Sequence, residues 1–305
     1  MWPYPDIVGA ITHFVAALAM STPRLAAFLL ITLALCAPLR AQTVVHTESS
    51  TFSPVVVYES DGERCMAFGS VQAPGRQTCF RLNEPQRMVF NYTRMMMSSL
   101  FVKPDPKRVL VIGLGGGTLP MALAQVLPQA RIDTVEIDPA VVNVARRYFG
   151  YQTSPRQRVH QADGRAFVEQ AVREKRSYDL IMLDAFDYTY IPAHLMTREF
   201  LQQVKTLLSP GGVLAANTFA SSDLYDRESA TYQSVFGTYF NLRANNRVIF
   251  AVNGALPDDA SLKLRAHDWA PRLARYDIDV ARQLALFERG ARWPEGTAPL
   301  VDATK

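Results

Sequence analysis

From Lys107 onward the chain alternates short runs that are apolar on both sides with longer runs that are apolar on one side only. The first kind are RVLVIG (108–113), RIDTVEID (131–138), RVHQAD (158–163), YDLIMLDAF (178–186) and GVLAANTF (212–219). Between them lie PMALAQVL, PAVVNVARRYF, RAFVEQAVREK and TREFLQQVKTLL, each with the period of a half-buried helix. A strand without a polar face needs cover on both sides, and the helices between successive strands supply it, so the pattern predicts a doubly wound, mostly parallel α/β sheet of Rossmann-like type. A further helix, LYDRESATYQSVF, precedes TYFNLRA and NRVIFAVN, which flank Asn245 and Asn246 as an antiparallel hairpin at the end of the sheet.

The rest of the chain divides around this unit. Residues 42–102 show short β-rich stretches (SPVVVYES, RCMAFGSVQ, TCFRL) and then the helix-like RMVFNYTRMMMSSLF, predicting a small N-terminal β unit and a linking helix. Met95, Met96 and Met97 fit core filling better than a metal site, since no His or Cys accompanies them. The catalytic unit is expected over 103–255, with a helical extension, fraying at its end, over 256–305. Residues 1–41 carry two apolar runs, 7–20 and 25–37. The second, preceded by Arg24 and followed by PLRA, has the make-up of a signal-peptide core and cleavage zone, with a membrane anchor built from both runs as the alternative. Cys65 and Cys79 either pair across a short loop or remain as two buried thiols.

In a doubly wound sheet, ligands bind beyond the carboxyl ends of the strands. Four strand ends here carry suitable chemistry. IGLGGGTLP places Gly113, Gly115 and Gly117 between a strand and a helix, where absent side chains allow a ligand close to the backbone. VEIDP places Glu136 at the end of the next strand, followed by Asp138, and an acid there can accept from both ribose hydroxyls. ADGR adds Asp163 and Gly164, and LDAFD ends a strand in Asp184 with Asp187 three positions on. A dinucleotide loop would carry glycine at the sixth position, where Thr118 stands. Acids at successive strand ends with no basic residue beside the loop fit a sulfonium nucleoside better.

The order GLGGGT, VEID, ADGR, DAFDY resembles the spermidine synthase (polyamine aminopropyltransferase) family over about residues 43–255, and DAFDYTYIPAHLMTREF is similar to a membrane-associated or exported subgroup of it. The resemblance implies an S-adenosylmethionine-dependent methyltransferase-like fold. It also implies transfer of an aminopropyl group from decarboxylated S-adenosylmethionine to putrescine or a related small-molecule amine. By motif position Asp184 is the expected base and Asp187 the acid orienting the amine, while FGSVQ places Gln72 over the nucleoside. A homodimer formed through the N-terminal β unit is implied as well.

Several positions depart from the family pattern. Gly116 stands where the family carries an Asp, Tyr92-Thr93 where it carries a His-Glu pair, and Tyr188 follows the second acid in place of Pro. The losses fall on the amine side, so an S-adenosylmethionine-dependent methyltransferase and a nucleoside-binding protein without turnover remain as rival readings. His194 either faces the site or lies on the surface. The five histidines show no metal-binding spacing, so no metal is expected, and a formal charge of +4 without a basic run gives no nucleic-acid surface. The N-terminus points to a membrane-anchored or periplasmic protein. A cytosolic donor makes the cytoplasm the alternative.

Overall fold

The computed structural model describes residues 42–71, 75–187 and 190–303, so the leader-like segment, Gln72 and Tyr188 lie outside the described residues. Strands β1 (Thr43–Glu48), β2 (Val55–Ser60), β3 (Glu63–Phe68) and β4 (Arg76–Arg81) form an antiparallel sheet in that order. Cys65 and Cys79 face each other in the β3–β4 register and are joined as a disulfide, which settles the two alternatives in favour of pairing. Helices Asn91–Met97 and Ser99–Val102 lead into the second sheet. Met95, Met96 and Met97 are fully buried in its core, as core filling requires.

The second sheet contains β5 (Arg108–Ile112), β6 (Arg131–Glu136), β7 (Gln157–Gln161), β8 (Tyr178–Leu183), β9 (Leu208–Phe219), β10 (Phe240–Arg243), β11 (Asn246–Val252) and β12 (Phe287–Arg289). Its order is β12-β10-β11-β9-β8-β5-β6-β7. The pairings from β7 through to β9 are parallel and the remaining ones antiparallel. The expected mixed α/β fold, with its terminal hairpin and small N-terminal β unit, is the one observed. The order reverses between β5 and β8, because β6 and β7 extend one way from β5 and β8 and β9 the other. That reversal opens a crevice at the strand ends.

The all-apolar strands follow from two helical layers. Val109 and Val111 of β5 join Met182 and the 91–102, 118–126 and 259–273 helices in one cluster. Leu110 and Ile112 join Ile181, Leu183 and the 164–173, 198–207 and 225–236 helices in the other. The small sheet docks on the Pro139–Tyr148 helix through Val55, Val57 and Met66 against Ala140, Val141 and Val144, which brings β4 alongside the glycine loop.

The C-terminal stretch differs from its sequence pattern. VARQLALFERGA has helical spacing, yet its helix stops at Leu284 and Phe287–Arg289 pairs with β10 at the sheet edge. Tertiary packing overrides propensity here, since the Phe287 ring lies against Phe101, Phe240 and Phe250. The described part of the tail is held by specific bonds, where fraying was expected. Leu300 N–H donates to Thr231 Oγ1, and Asp302 makes a bidentate pair with Arg165 at 2.7 and 2.5 Å. Among the described residues no helix is long and apolar enough to cross a membrane.

Candidate active site

A cavity of about 580 Å³ opens at the carboxyl ends of β5, β6, β7 and β8, where the order reverses. Its size lies in the range of ordinary small-molecule sites. Gly113, Gly115, Glu136, Asp138, Asp163, Gly164, Asp184 and Asp187, eight residues expected from the sequence, all line it. Gly117 stands one step back, where its missing side chain leaves room for the Tyr151 ring. Gln72 falls outside the described residues.

The floor is two backbone loops in close contact. Gly113 donates to the Val135 carbonyl and Asp184 N–H to the Ile112 carbonyl, both at 2.8 Å, which carries the sheet's hydrogen bonding into the crevice. Gly113 has φ +99°, and a Cβ there would fall on the Asp184 carbonyl oxygen. Glycine is therefore required at this position on two grounds, conformation and space.

Glu136 and Asp163 are each held by local bonds. Glu136 Oε2 accepts from Leu114 N–H and Oε1 from Asp138 N–H, each at 3.0 Å. The side chain keeps an open face toward the cavity, but surrounding protein pushes its pKa above the usual carboxylate value against the pull of these N–H donors. Asp163 caps the Gly164–Arg173 helix through Ala166 N–H at 2.9 Å, and its other oxygen lies 2.8 Å from His194 Nε2. Burial opposes ionisation there, yet the Ala166 N–H and His194 together hold Asp163 below its ordinary pKa. His194 thus lines the cavity. Asp138 is buried and committed, capping the Pro139–Tyr148 helix through Ala140 N–H at 2.8 Å and accepting from the Ser50 hydroxyl at 2.6 Å.

Asp184 is the most perturbed acid of the site. Burial raises its pKa to about 6, while Asn217 and Tyr92 favour the charged form. Asn217 Nδ2 donates to Asp184 Oδ1 at 2.9 Å, and Asn217 Oδ1 accepts in turn from Asn246 Nδ2 at 3.3 Å. Burial and the neighbouring carboxylate push the Tyr92 hydroxyl well above its normal pKa, so it stays protonated as a donor. A half-buried carboxylate poised near neutrality can accept a proton at physiological pH. Asp187 is exposed, and its Oδ1 accepts from Tyr190 N–H at 2.9 Å.

Sequence reasoning missed Asn217 as a partner of Asp184. The available signal was an amide inside the otherwise apolar GVLAANTF. It saw Tyr92 only as a departure from a motif, because nothing local connects it with residues nearly a hundred positions later. Gly116 has a physical neighbourhood too. A Cβ there would approach Thr78 Cγ2 to 2.6 Å and Phe149 Cδ1 to 3.0 Å, so β4 fills the room an acidic side chain would need.

Comparison with known proteins identifies the family and the fold. The family model for the spermine/spermidine synthase domain matches residues 89–248. A polyamine aminopropyltransferase of Vibrio vulnificus is 43% identical over 266 residues, covering 85% of this chain and 89% of the relative. Among solved structures, a probable spermidine synthase from Corynebacterium glutamicum has a TM-score of 0.66 at 20% identity, covering 85% of this chain and 97% of that one. A spermidine synthase in complex with the transition-state analogue AdoDATO has a TM-score of 0.61 at 21% identity, covering 80% and 89%. These two share the fold, and the Vibrio relative shares sequence along most of both chains. The chain belongs to the spermine/spermidine synthase family.

Proposed function

We propose that the chain is a polyamine aminopropyltransferase that joins an aminopropyl group from decarboxylated S-adenosylmethionine to a diamine of the putrescine class. The observation that carries this reading is Asp184, half-buried at the switch point with a pKa of about 6 and lining the same cavity as Glu136 and Asp163. The family assignment supports the reaction class, and the solved relative with AdoDATO supports a sulfonium-type nucleoside as the donor.

In this mechanism Glu136 accepts from the ribose hydroxyls and Asp163 from the adenine amino group, while Gly113, Gly115 and Gly164 leave room for the nucleoside against the backbone. Gln72 and Asp138 complete that half, Asp138 by holding the Glu136 loop in place. Asp187 attracts and orients the cationic acceptor. Asp184 takes a proton from the attacking amine, whose ordinary pKa near 10 otherwise keeps it protonated. The nitrogen forms a bond to the methylene beside sulfur as the carbon–sulfur bond breaks, and that electron pair neutralises the sulfonium to give methylthioadenosine. Alignment of the two reactants supplies much of the rate, because the leaving group is already activated.

Two coarser features belong to the same proposal. The Cys65–Cys79 disulfide supports an oxidising location reached through residues 1–41. The exposed Val44 and Val45 on the outer strand β1 support pairing of two copies through the small sheet, which sedimentation velocity would refute by showing a monomer at micromolar concentration. For the reaction, purified protein given decarboxylated S-adenosylmethionine and putrescine should release methylthioadenosine. Release of S-adenosylhomocysteine from S-adenosylmethionine, with no methylthioadenosine, would refute the assignment in favour of methyl transfer.

A further inference from the structure

Behind the site lies a buried polar network that the mechanism above does not use. Arg247 on β11 is 0% exposed and Glu228 on the Tyr225–Phe236 helix is 2% exposed, with Arg247 Nη1 3.7 Å from Glu228 Oε2. Arg247 also donates to Asn241 Oδ1 and Ser229 Oγ at 2.7 Å each, and its guanidinium lies 4.0 Å from the centroid of the Tyr225 ring. Withdrawing two charges from water is costly, and such a pair rarely stabilises more than apolar residues of the same size would. Neither residue lines the cavity.

The network reaches the site through Tyr190. Its hydroxyl donates to Glu228 Oε1 at 2.6 Å, a short charge-assisted bond. Burial and Glu228 keep that hydroxyl protonated, so it remains a donor across the working pH range. Its backbone is clasped to Asp187 twice, because Asp187 N–H donates to the Tyr190 carbonyl and Tyr190 N–H to Asp187 Oδ1, both at 2.9 Å. The aromatic flanks of the loop share one anchor. Phe186 and Tyr190 lie 5.4 and 5.3 Å from the Phe219 ring at the end of β9.

We propose that Tyr190, seated on Glu228 with Arg247 behind it, is the positioning residue for Asp187, fixing where that carboxylate stands on the acceptor side of the cavity. The proposal rests on the reading of Asp187 as the acid that orients the amine. Asp187 is exposed, and each ångström of misplacement of its carboxylate weakens its hold on a cationic acceptor. Fixed charges buried behind the loop give Tyr190 a single seat, and the clasp passes that fixity to Asp187.

Tyr190→Phe keeps the ring on Phe219 and removes the hydroxyl with its bonds, the short one to Glu228 and the contacts with Ser222 and the Phe219 backbone. Putrescine binding, titrated calorimetrically with methylthioadenosine present, should weaken about tenfold, and the acceptor KM should rise to match, while the donor KM stays within about twofold. Asp187→Asn should weaken the acceptor similarly, and the double variant no further, because Tyr190 acts through Asp187. A melting temperature close to that of the parent separates this from general destabilisation. Unchanged putrescine affinity in Tyr190→Phe, or losses that multiply in the double variant, would overturn the positioning role alone. If the parent does not bind putrescine, or Asp187→Asn binds it as the parent does, the reading of Asp187 fails and takes this proposal with it.

Discussion

At the scale of single residues, the behaviour of Asp184 with pH is the sharpest consequence of the site. Its folded-state pKa of about 6 lies above the ordinary carboxylate value of about 3.9. Folding is therefore favoured by this group below the lower value, and that contribution is lost as pH rises through about 6. At pH 7.5 the ionised form is needed for proton acceptance but counts against the fold. Asp184→Asn should lower kcat by at least about 100-fold at that pH and raise the melting temperature by roughly 3 °C, a gain that shrinks toward pH 4 as the parent becomes protonated. In the parent, kcat should fall below about pH 6; a flat profile from pH 5 to 8 would remove Asp184 from the role of base. Most of the acids at the strand ends were legible in the sequence because they close apolar runs, as Asp184 does after LIML. Asn217, Tyr92 and Tyr190 were not legible as partners, since a side chain's neighbours across the sheet are set by strand order, which the sequence does not spell out.

At the scale of elements, β4 and the glycine loop constrain each other. Thr78 stands where a side chain at position 116 would go, and its Oγ1 is 3.3 Å from Thr118 Oγ1 on the helix that follows the loop. Gly116→Asp, which restores the acid of the family pattern, should lower the melting temperature by about 5 °C or more, because β4 backbone cannot yield without disturbing the disulfide-linked neighbour Cys79. Adding Thr78→Ala deletes the two Thr78 atoms in the way, so the pair Thr78→Ala/Gly116→Asp should recover most of that loss in a thermal melt. Equal instability of the single and double variants would contradict this packing account. The parallel strands and their helices were legible because burial on both faces leaves a continuous apolar run. The 280–291 segment was not, since its helical spacing lost to an edge-strand seat beside β10 and a pocket for Phe287.

For the whole molecule, the chain ties its distant parts together around the site. The small sheet contributes Phe52 and Thr78 to the cavity wall, and its β3–β4 hairpin is closed by the disulfide. Residues near the other end return to Arg165, two positions after Asp163, through Asp302. Reduction of the disulfide should therefore lower stability by up to about 3 kcal/mol, read as a lower melting temperature in the presence of a reductant, with no change for a Cys65→Ser/Cys79→Ser variant. A parent protein whose melt ignores the reductant would show that the bridge contributes nothing. The division into a β unit and a sheet unit was visible in the change of periodicity at Lys107, whereas the return of the tail depends on contacts 137 residues apart in sequence.

The meeting of Gly113 with the Asp184 carbonyl sets where such a protein can diverge. Main chain pressed on main chain offers no side chain to trade, so no compensating substitution elsewhere can rescue a larger residue at that crossing. Novelty has to accumulate along the wall, at positions such as 92 and 93, while the centre of the crevice is inherited unchanged.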